Sequence, residues 1–333
     1  MAETANIAAM AERLSNELFA EFFWKPTGPM NENWACEKPE VHNVKTHPSD
    51  IVFYYDEPYT RQRTYVNCDL KSYARSSIAA SALKGSLESL AKQVACAEIS
   101  EEWRAKYIHS GVTPAICGLL FVYNHDGEYD QDFHSTLNAL KDVKLDLPRG
   151  SKVVVLGPED IGWLDNVRYE IVQMRGRRTS GEPLPEPEHC KFFYPHLVRR
   201  KNLQLDRAKA ATLEMLTSKL IAMEYVRPTT PDRQGVVLFY RGKGASADEF
   251  TYLLDYLRNF QLLQEHVDVE LKHYDASSLS SVNFQKAAQS YVDGLAHGGA
   301  QSPLAECVNR IQYKRIPQVV TRFSNIELGM DYE

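Results

Sequence analysis

Two acidic residues and a lysine in the first quarter of the chain have the types and spacing of a metal-assisted hydrolytic site. Asp50 stands immediately before an apolar run, residues 51–55, and Asp69 and Lys71 follow a second run, residues 64–68. Both runs have the composition of β-strands, and the turn-forming residues between them predict a hairpin. Asp69 and Lys71 should share one face of their strand, with Asp50 beside them on the neighbouring strand. Two carboxylates and an ammonium group can hold a hard cation and place a positive charge next to a phosphate.

The stretches Pro48-Ser49-Asp50 and Asp69-Leu70-Lys71 resemble the two half-motifs of the PD-(D/E)XK superfamily, the fold of many restriction and recombination nucleases. The resemblance implies that Asp50 and Asp69 bind Mg²⁺ (or Mn²⁺) and that Lys71 orients or activates the attacking water. Ser49 stands where the family name has Asp, which leaves the ligand position intact. The Leu70 carbonyl lies between Asp69 and Lys71, so we expect it to be a third protein ligand.

The resemblance also implies an acidic residue on the preceding helix. A helix is predicted over about residues 6–23, where apolar residues recur every three or four positions. Glu21 falls within roughly 20° of the apolar stripe, and Glu17 falls about 60° away. A carboxylate in a core-facing stripe is costly unless it is paired or binds metal. Glu21 therefore either points toward Asp50 and Asp69 or is solvated or salt-bridged at the helix end.

A second amphipathic helix is predicted over about residues 78–98. Several families of the superfamily carry a Gln near the site on this helix, so the resemblance implies a catalytic role for Gln93, with a surface position as the alternative. Arg75 precedes the helix, and Arg61 and Arg63 lie in the hairpin. These three arginines are candidate phosphate contacts, although such charges are usually a solvated face.

The remaining first half continues as an α/β pattern. Residues 115–123 form a near-continuous apolar run, typical of a strand buried on both faces; a helix is predicted over about residues 130–140 and another buried strand over residues 151–156. This order agrees with a restriction-endonuclease-like mixed sheet flanked by helices, as the resemblance implies. His125 and Asp126 follow the long strand and are interpreted as a turn rather than a second catalytic pair.

A stretch rich in Pro and Glu, residues 180–188, predicts a domain boundary. We expect a nuclease-like domain over residues 1–180 and a second α/β domain over residues 189–333 that serves docking, dimerisation or substrate positioning. The predicted helices of the second domain cover residues 205–225, 247–264 and 281–295, and its predicted strands cover residues 235–240, 267–274 and 318–323.

The second half also contains a run that imitates the first site. The run that ends in Glu270 and Lys272 resembles the run that ends in Asp69 and Lys71. A helix-length segment, not a hairpin turn, separates its strand from the strand before it, and no counterpart of Asp50 precedes it at the right place. We therefore interpret Glu270 and Lys272 as structural residues.

Composition limits the class of protein. The chain has 333 residues, with 44% hydrophobic residues and six cysteines. The cysteines show no CxxC spacing, which favours a reduced, cytoplasmic protein without structural zinc. No apolar run has the length of a membrane span, and the N-terminus lacks the pattern of a signal peptide.

The net charge of −6 argues against strong unassisted binding to a polyanion. Basic clusters are candidate nucleic-acid contacts, with solvated loops as the alternative. A protein partner or a second copy of the chain would supply the remaining contacts to the nucleic acid. The clusters contain Arg175, Arg177 and Arg178, and then Arg199, Arg200 and Lys201.

The expected function is Mg²⁺-dependent hydrolysis of phosphodiester bonds, with DNA as the expected substrate. The composition and architecture also resemble nucleases of bacterial restriction and anti-phage defence, which are often made with a partner protein. The alternative is a catalytically weak nuclease-fold subunit that binds nucleic acid or a partner protein.

Overall fold

The computed structural model describes residues 2–176, 182–195, 208–295 and 302–319. Its contacts divide the chain into two compact units. The N-terminal unit comprises residues 1–165, 204–213 and 320–333, and the C-terminal unit comprises residues 166–203 and 214–319. The expected boundary at residues 180–188 lies partly outside the described residues, and the division into domains at that point stays a prediction.

A five-stranded mixed sheet forms the centre of the N-terminal unit. The elements are α1 (Ala2–Glu21), β1 (Lys25–Thr27), β2 (Glu32–Ala35), α2 (Pro39–His42), β3 (Thr46–Ser49), β4 (Ile51–Asp56), β5 (Gln62–Tyr73), α3 (Ala80–Ala97), α4 (Glu101–Tyr107), β6 (Thr113–Asn124), α5 (Phe133–Asn138) and β7 (Val153–Leu156). The strand order is β1-β4-β5-β6-β7. The first two pairings are antiparallel and the last two are parallel.

Apolar residues on both faces of this sheet place it between helices. Phe19 of α1 packs edge-on against Phe53 of β4, with ring centroids 5.2 Å apart. On the other face, Gly118 of β6 lies so close to α3 that an added Cβ would be 2.9 Å from Cγ of Leu90. A side chain at residue 118 would therefore push α3 away from the sheet. The sheet is consequently buried on both faces, as the long apolar run of β6 predicts.

A small antiparallel sheet of β2 and β3 precedes the main sheet in the chain. Trp34 of β2 and Trp103 of α4 are buried beside it, with ring centroids 6.4 Å apart. Because β3 ends at Ser49 and β4 begins at Ile51, this small sheet leads directly into Asp50. Its packing therefore sets the position of a predicted metal ligand.

A second five-stranded sheet forms the centre of the C-terminal unit. Helix α6 (Pro158–Gly176) runs from the first unit into the second, and is followed by β8 (Cys190–Phe192), α7 (Leu213–Leu216), β9 (Leu220–Val226), β10 (Gln234–Tyr240), α8 (Ala247–Asn259), β11 (Val267–His273), α9 (Ser280–Leu295), α10 (Pro303–Asn309) and β12 (Gln312–Arg315). The strand order is β8-β9-β10-β11-β12. Its pairings are antiparallel, antiparallel, parallel and parallel.

The two sheets therefore repeat one topology. In both, two antiparallel pairings are followed in chain order by two parallel ones, with helices in the crossovers. The counterpart of β5 is β10, and the counterpart of β6 is β11. The run that ends in Glu270 and Lys272 lies on β11, so it does not occupy the position of the Asp69–Lys71 strand. Lys272 is buried and forms ion pairs with Glu170 at 2.9 Å and with Glu270 at 3.2 Å, in agreement with a structural role.

Two expectations about secondary structure need correction. The predicted helix over residues 205–225 is wrong over most of its described length, because only Leu213–Leu216 is helical and residues 220–226 form β9, a central strand paired with β8 and β10. Leucines at 213, 216 and 220 have the spacing of an apolar helical stripe. Backbone hydrogen bonding to β8 and β10 nevertheless makes the last part of this segment a strand. The predicted strand at residues 318–323 lies mostly outside the described residues; the described last strand is β12. None of the helices in the described ranges is apolar enough over a sufficient length to cross a bilayer.

Candidate active site

Asp50 and Asp69 lie opposite each other where β4 and β5 begin to separate. Ile51 pairs with Cys68, so the next antiparallel position brings Asp50 to Asp69. Oδ2 of Asp50 accepts a hydrogen bond of 2.7 Å from the Leu70 N–H. Burial raises the pKa of Asp50, the Leu70 N–H lowers it, and the nearby charge of Asp69 raises it again, with a net increase. A bound cation would relieve this cost, because its positive charge favours the ionised form of Asp50.

The Leu70 carbonyl is the third oxygen donor predicted for the site. In an antiparallel ladder the N–H and C=O of one residue point to the same side of the strand. Because the Leu70 N–H points to Asp50, its carbonyl faces the same side. Two carboxylates and a backbone carbonyl are the ligands that Mg²⁺ and Mn²⁺ prefer. The residues present therefore fit a hard divalent cation.

Lys71 supplies the positive charge of the site. It lies on the same face of β5 as Asp69, and its Nζ is 2.5 Å from Oδ1 of that residue. Burial lowers the pKa of Lys71, but the charges of Asp69 and Asp50 outweigh burial and hold the pKa above its ordinary value. Lys71 is therefore a cation at neutral pH, suited to stabilise negative charge on a phosphate rather than to accept a proton.

The helical carboxylate beside Asp50 is Glu12, which the sequence reasoning missed. The negative charge of Glu12 contributes to the raised pKa of Asp50. Its Oε2 accepts a hydrogen bond of 3.3 Å from the Asn31 side chain, and the Asn31 N–H donates to the Asp50 carbonyl at 2.8 Å. Glu12 is also in line on α1 with the fully buried Phe19, seven residues on. That alignment is a signal the sequence offered.

Glu21, the predicted acidic residue, is the last residue of α1. It lies nine residues beyond Glu12, which corresponds to about 13.5 Å along the helix axis and about half a turn around it. Because Glu12 lies on the face of α1 toward Asp50, Glu21 lies on the opposite face of the helix. The structure thus favours Glu12 over Glu21 as the third carboxylate of the site. Glu17, the weaker candidate, pairs with Arg13 at 2.8 Å on the exposed side.

Paired substitutions separate these two carboxylates. We expect Glu12→Gln to slow cleavage by about 10- to 100-fold, since it removes a charge next to Asp50, as outer-shell substitutions at metal sites do. Glu21→Gln serves as the matched control on the same helix and should stay within about threefold of the wild type. Initial cleavage rates of the two folded variants decide the matter. A larger loss in Glu21→Gln would restore the assignment made from the sequence.

Gln93 is buried in a polar network behind Asp69. Its Oε1 accepts a hydrogen bond of 2.9 Å from the side chain of Asn67, and Oδ1 of Asn67 accepts one of 2.7 Å from the Ser49 hydroxyl. Ser49 in turn accepts hydrogen bonds from the indole N–H groups of Trp34 and Trp103. The network joins the residue before Asp50 to the residue two positions before Asp69. These contacts support a positioning role for Gln93, in place of the catalytic role implied by the resemblance.

The arginines predicted to contact phosphates occupy different ends of β5. Arg63 lies eight residues before Lys71, about 26 Å along an extended strand, and Arg61 lies beyond it in the turn. Arg63 is also held by both oxygens of Asp56, at 2.8 and 3.1 Å. Arg75 follows β5 at the end where Lys71 lies, half exposed and 2.8 Å from Asp130. Arg75 is thus the one of these three best placed to meet a substrate at the site.

The remaining predicted contacts lie largely beyond the described residues. Arg175 is in the last turn of α6. The other basic residues fall outside the described ranges: Arg177, Arg178, Arg199, Arg200 and Lys201.

The corresponding positions of the second sheet carry cations. Leu220 pairs with Tyr240 at the start of β9, so the next position corresponds to Asp50 and Asp69 in the first sheet. Lys219 and Arg241 stand there, joined by a backbone hydrogen bond of 3.0 Å, and Lys243 stands where the first sheet has Lys71. Three positive side chains would repel a divalent cation at these positions. The second sheet thus repeats the topology without the ligand set.

The fold and the paired half-motifs define the N-terminal part of the chain as a PD-(D/E)XK nuclease domain. Residues 1–160 match the family model described as the GAPS4 protein PD-(D/E)XK nuclease domain. GAPS4 is an anti-phage defence system. The recognition made from Asp50, Asp69 and Lys71 is therefore confirmed, and so is the restriction-endonuclease-like fold class. No curated protein matches the chain.

Proposed function

We propose that the protein is a metal-dependent nuclease that hydrolyses phosphodiester bonds in DNA. The observation that carries the proposal is the meeting of Asp50, Asp69 and Lys71 at one end of β4 and β5, with the Asp50 carboxylate held by the Leu70 N–H at 2.7 Å. The family match over residues 1–160 supports the nuclease class.

Each residue has a distinct proposed role. Asp50, Asp69 and the Leu70 carbonyl hold Mg²⁺ or Mn²⁺, which when bound polarises the phosphate and lowers the pKa of water. Glu12 adds a third carboxylate near Asp50. Lys71 stabilises the negative charge that develops on the phosphate, and the ion pair with Asp69 aims its ammonium group at that place.

A plasmid-cleavage assay tests this function. Purified wild-type protein is incubated with supercoiled DNA in Mg²⁺ and, separately, in EDTA, and the variant Asp69→Ala serves as the control. We expect cleavage only by the wild type and only with Mg²⁺. Equal cleavage by a folded Asp69→Ala variant would refute the proposal. RNA substrates and partner proteins are compared in parallel, because the site itself recognises only the phosphodiester.

The second candidate is a catalytically weak subunit that binds nucleic acid or a protein. The observation that favours it is the second sheet, which repeats the nuclease topology with Lys219, Arg241 and Lys243 at the corresponding positions. We propose that the C-terminal α/β unit serves docking or substrate positioning and that residues 1–160 carry the chemistry. A folded wild type that binds DNA without cutting it, in Mg²⁺ and in Mn²⁺, would favour this candidate.

The basic residues around the expected boundary are proposed to help an acidic chain hold DNA. Charge reversal at Arg177 and Arg178 should weaken DNA binding and flatten its salt dependence by about one unit of slope for each phosphate that is no longer neutralised. Charge reversal at Arg61, far from the site along β5, is the comparison, and it should change the salt slope less. Binding measured at several salt concentrations, with and without a candidate partner, decides. An unchanged slope would show that this cluster is ordinary solvated surface.

The family match also suggests the setting. A nuclease domain of the GAPS4 type is expected to act in anti-phage defence, in the cytoplasm, where phage DNA is present. Because the net charge is −6, we expect a protein partner or a second copy of the chain to supply some of the contacts to DNA.

A further inference from the structure

Four buried side chains with metal-binding atoms converge in the N-terminal unit, outside the site described above. Cys36 follows β2, His42 ends α2, His47 lies on β3 and Cys96 is near the end of α3. One ligand atom from each residue can be chosen so that all four lie within 4.8 Å of one another. These residues are called the cysteine–histidine cluster below.

The spacing of these atoms fits a tetrahedral centre. The sulfurs of Cys36 and Cys96 are 3.8 Å apart, and Nδ1 of His42 lies 3.3 Å from the first sulfur and 3.4 Å from the second. A tetrahedral zinc ion with ordinary bond lengths places two sulfurs about 3.8 Å apart and a sulfur and a nitrogen about 3.6 Å apart. The side chains are therefore already near the positions that such an ion requires.

His47 supplies an independent observation. The side chain is 2% exposed, and its Nε2 has no hydrogen-bond partner. An unsatisfied buried imidazole nitrogen costs free energy, and such groups are rare in folded proteins. A cluster held only by thiol–imidazole hydrogen bonds leaves this nitrogen unpaired. A metal ion gives it a partner.

We propose that Cys36, His42, His47 and Cys96 bind one structural Zn²⁺ ion. Two thiolates and two imidazoles are a soft, nitrogen- and sulfur-rich set that selects zinc, whereas Mg²⁺ prefers oxygen. Four protein ligands leave no open position, so the site is structural. A disulfide does not explain the pair, since 3.8 Å is far beyond the sulfur–sulfur bond length of about 2.05 Å.

This proposal replaces the expectation of a protein without structural zinc, which rested on the missing CxxC spacing. The local signal was the pair His42 and His47, five residues apart, within the range of spacings seen for histidines at zinc sites. Cys36 precedes them closely, but Cys96 joins them only through the fold.

The proposed ion ties the small β2–β3 sheet to α3. His47 lies three residues before Asp50, and Ser49, two residues after His47, anchors the buried network that reaches Asn67. A zinc ion at the cluster would therefore fix the segment that delivers Asp50 to the active site. Its role is to position that segment, and its binding is independent of whether the nuclease site is active.

Metal content of the intact chain tests the proposal. Protein made in zinc-supplemented medium and purified without chelators is expected to carry one zinc per chain by elemental mass spectrometry. X-ray absorption should show two sulfur and two nitrogen ligands, and Co²⁺ in its place should give a thiolate charge-transfer band. The double variant Cys36→Ser/Cys96→Ser should lose the metal, and its Tm should fall by on the order of 10 °C. The control is Cys117→Ala, a buried cysteine of β6 outside the cluster, which should keep its zinc.

Three results would overturn the proposal. They are wild-type folded protein with less than about a tenth of a zinc per chain, an absorption spectrum without sulfur ligands, and a Cys36–Cys96 disulfide in the protein from reducing cells. All three are measured on the wild-type protein, so the proposal can be refuted even if the double variant fails to fold. Asp69→Ala should retain zinc while it loses cleavage, which separates this proposal from the proposed function.

Discussion

Replacing Asp50 by Asn is expected to abolish cleavage and, at the same time, to stabilise the metal-free protein. The change removes a proposed metal ligand. A bound metal stabilises the transition state by several kcal/mol, and its loss corresponds to a decrease of at least about 10³-fold in rate. Stability should rise because burial and Asp69 raise the pKa of Asp50, so its negative charge opposes folding. Asn keeps an oxygen that accepts the hydrogen bond from the Leu70 N–H.

The pH dependence of this gain has a definite sign. A carboxyl group with a raised pKa in the folded state destabilises the fold at pH values above that pKa and has no effect below its ordinary pKa. The Tm advantage of Asp50→Asn in EDTA should therefore be present at pH 7.5 and absent below about pH 4. Mg²⁺ should raise the Tm of the wild type and leave that of the variant unchanged.

Asp56→Asn is the matched control for this variant. Asp56 ends β4 and pairs with Arg63 at 2.8 Å, far from the site. Its replacement should lower the Tm slightly and leave cleavage intact, the opposite of Asp50→Asn on both measurements. A folded Asp50→Asn variant that cuts DNA, or one that melts below the wild type in EDTA at pH 7.5, would contradict our description of the site.

Lys71→Met is expected to lower kcat by about 10²- to 10³-fold, as the loss of one group that stabilises transition-state charge does elsewhere. Lys71 is a cation whose pKa is raised by Asp69 and Asp50 despite burial. It should therefore act through its charge. Lys71→Arg, which keeps the charge, should recover part of the rate, and substrate affinity should change little.

The control for Lys71 is Lys84→Met on α3. Lys84 is about half exposed and only loosely paired with Glu88 at 3.8 Å, so its removal should leave the rate unchanged. Single-turnover cleavage rates, with the Tm of each variant, make the comparison. A rate for Lys71→Met within tenfold of the wild type would show that the charge is not needed for the reaction. Loss of activity through unfolding would be visible in the Tm.

Local patterns in the sequence were enough to predict the central strands and the paired aspartates. The runs that became β4, β5 and β6 are apolar and bounded by turns, and Asp69 and Lys71 lie two apart on one strand. Alternation along a strand then determines that their side chains meet. The half-motif order around Asp50 supplied the superfamily, which the family match confirmed.

Features that depend on distant contacts were missed. Glu12 came into view only through the position of α1 on the sheet, which no local pattern fixes, although Phe19 in line with Glu12 was a usable sign. Leucines at 213, 216 and 220 have a spacing that suits a helix, yet residues 220–226 form β9 because strands pair with them on both sides. The cysteine–histidine cluster is assembled by folding, since its fourth member comes from α3. The repeated sheet topology could not be predicted from a repeated motif, because the second sheet carries cations at the positions of the metal ligands.

Crystals soaked in Mn²⁺ provide the most direct test of the central claim, that Asp50 and Asp69 jointly hold the cation of a nuclease site. Anomalous diffraction should place one Mn²⁺ within about 2.0–2.6 Å of oxygens from both carboxylates and of the Leu70 carbonyl. A matched soak of Asp69→Asn should show no peak there. A manganese ion bound elsewhere, or carboxylates of Asp50 and Asp69 that point to opposite faces of the sheet, would contradict the account.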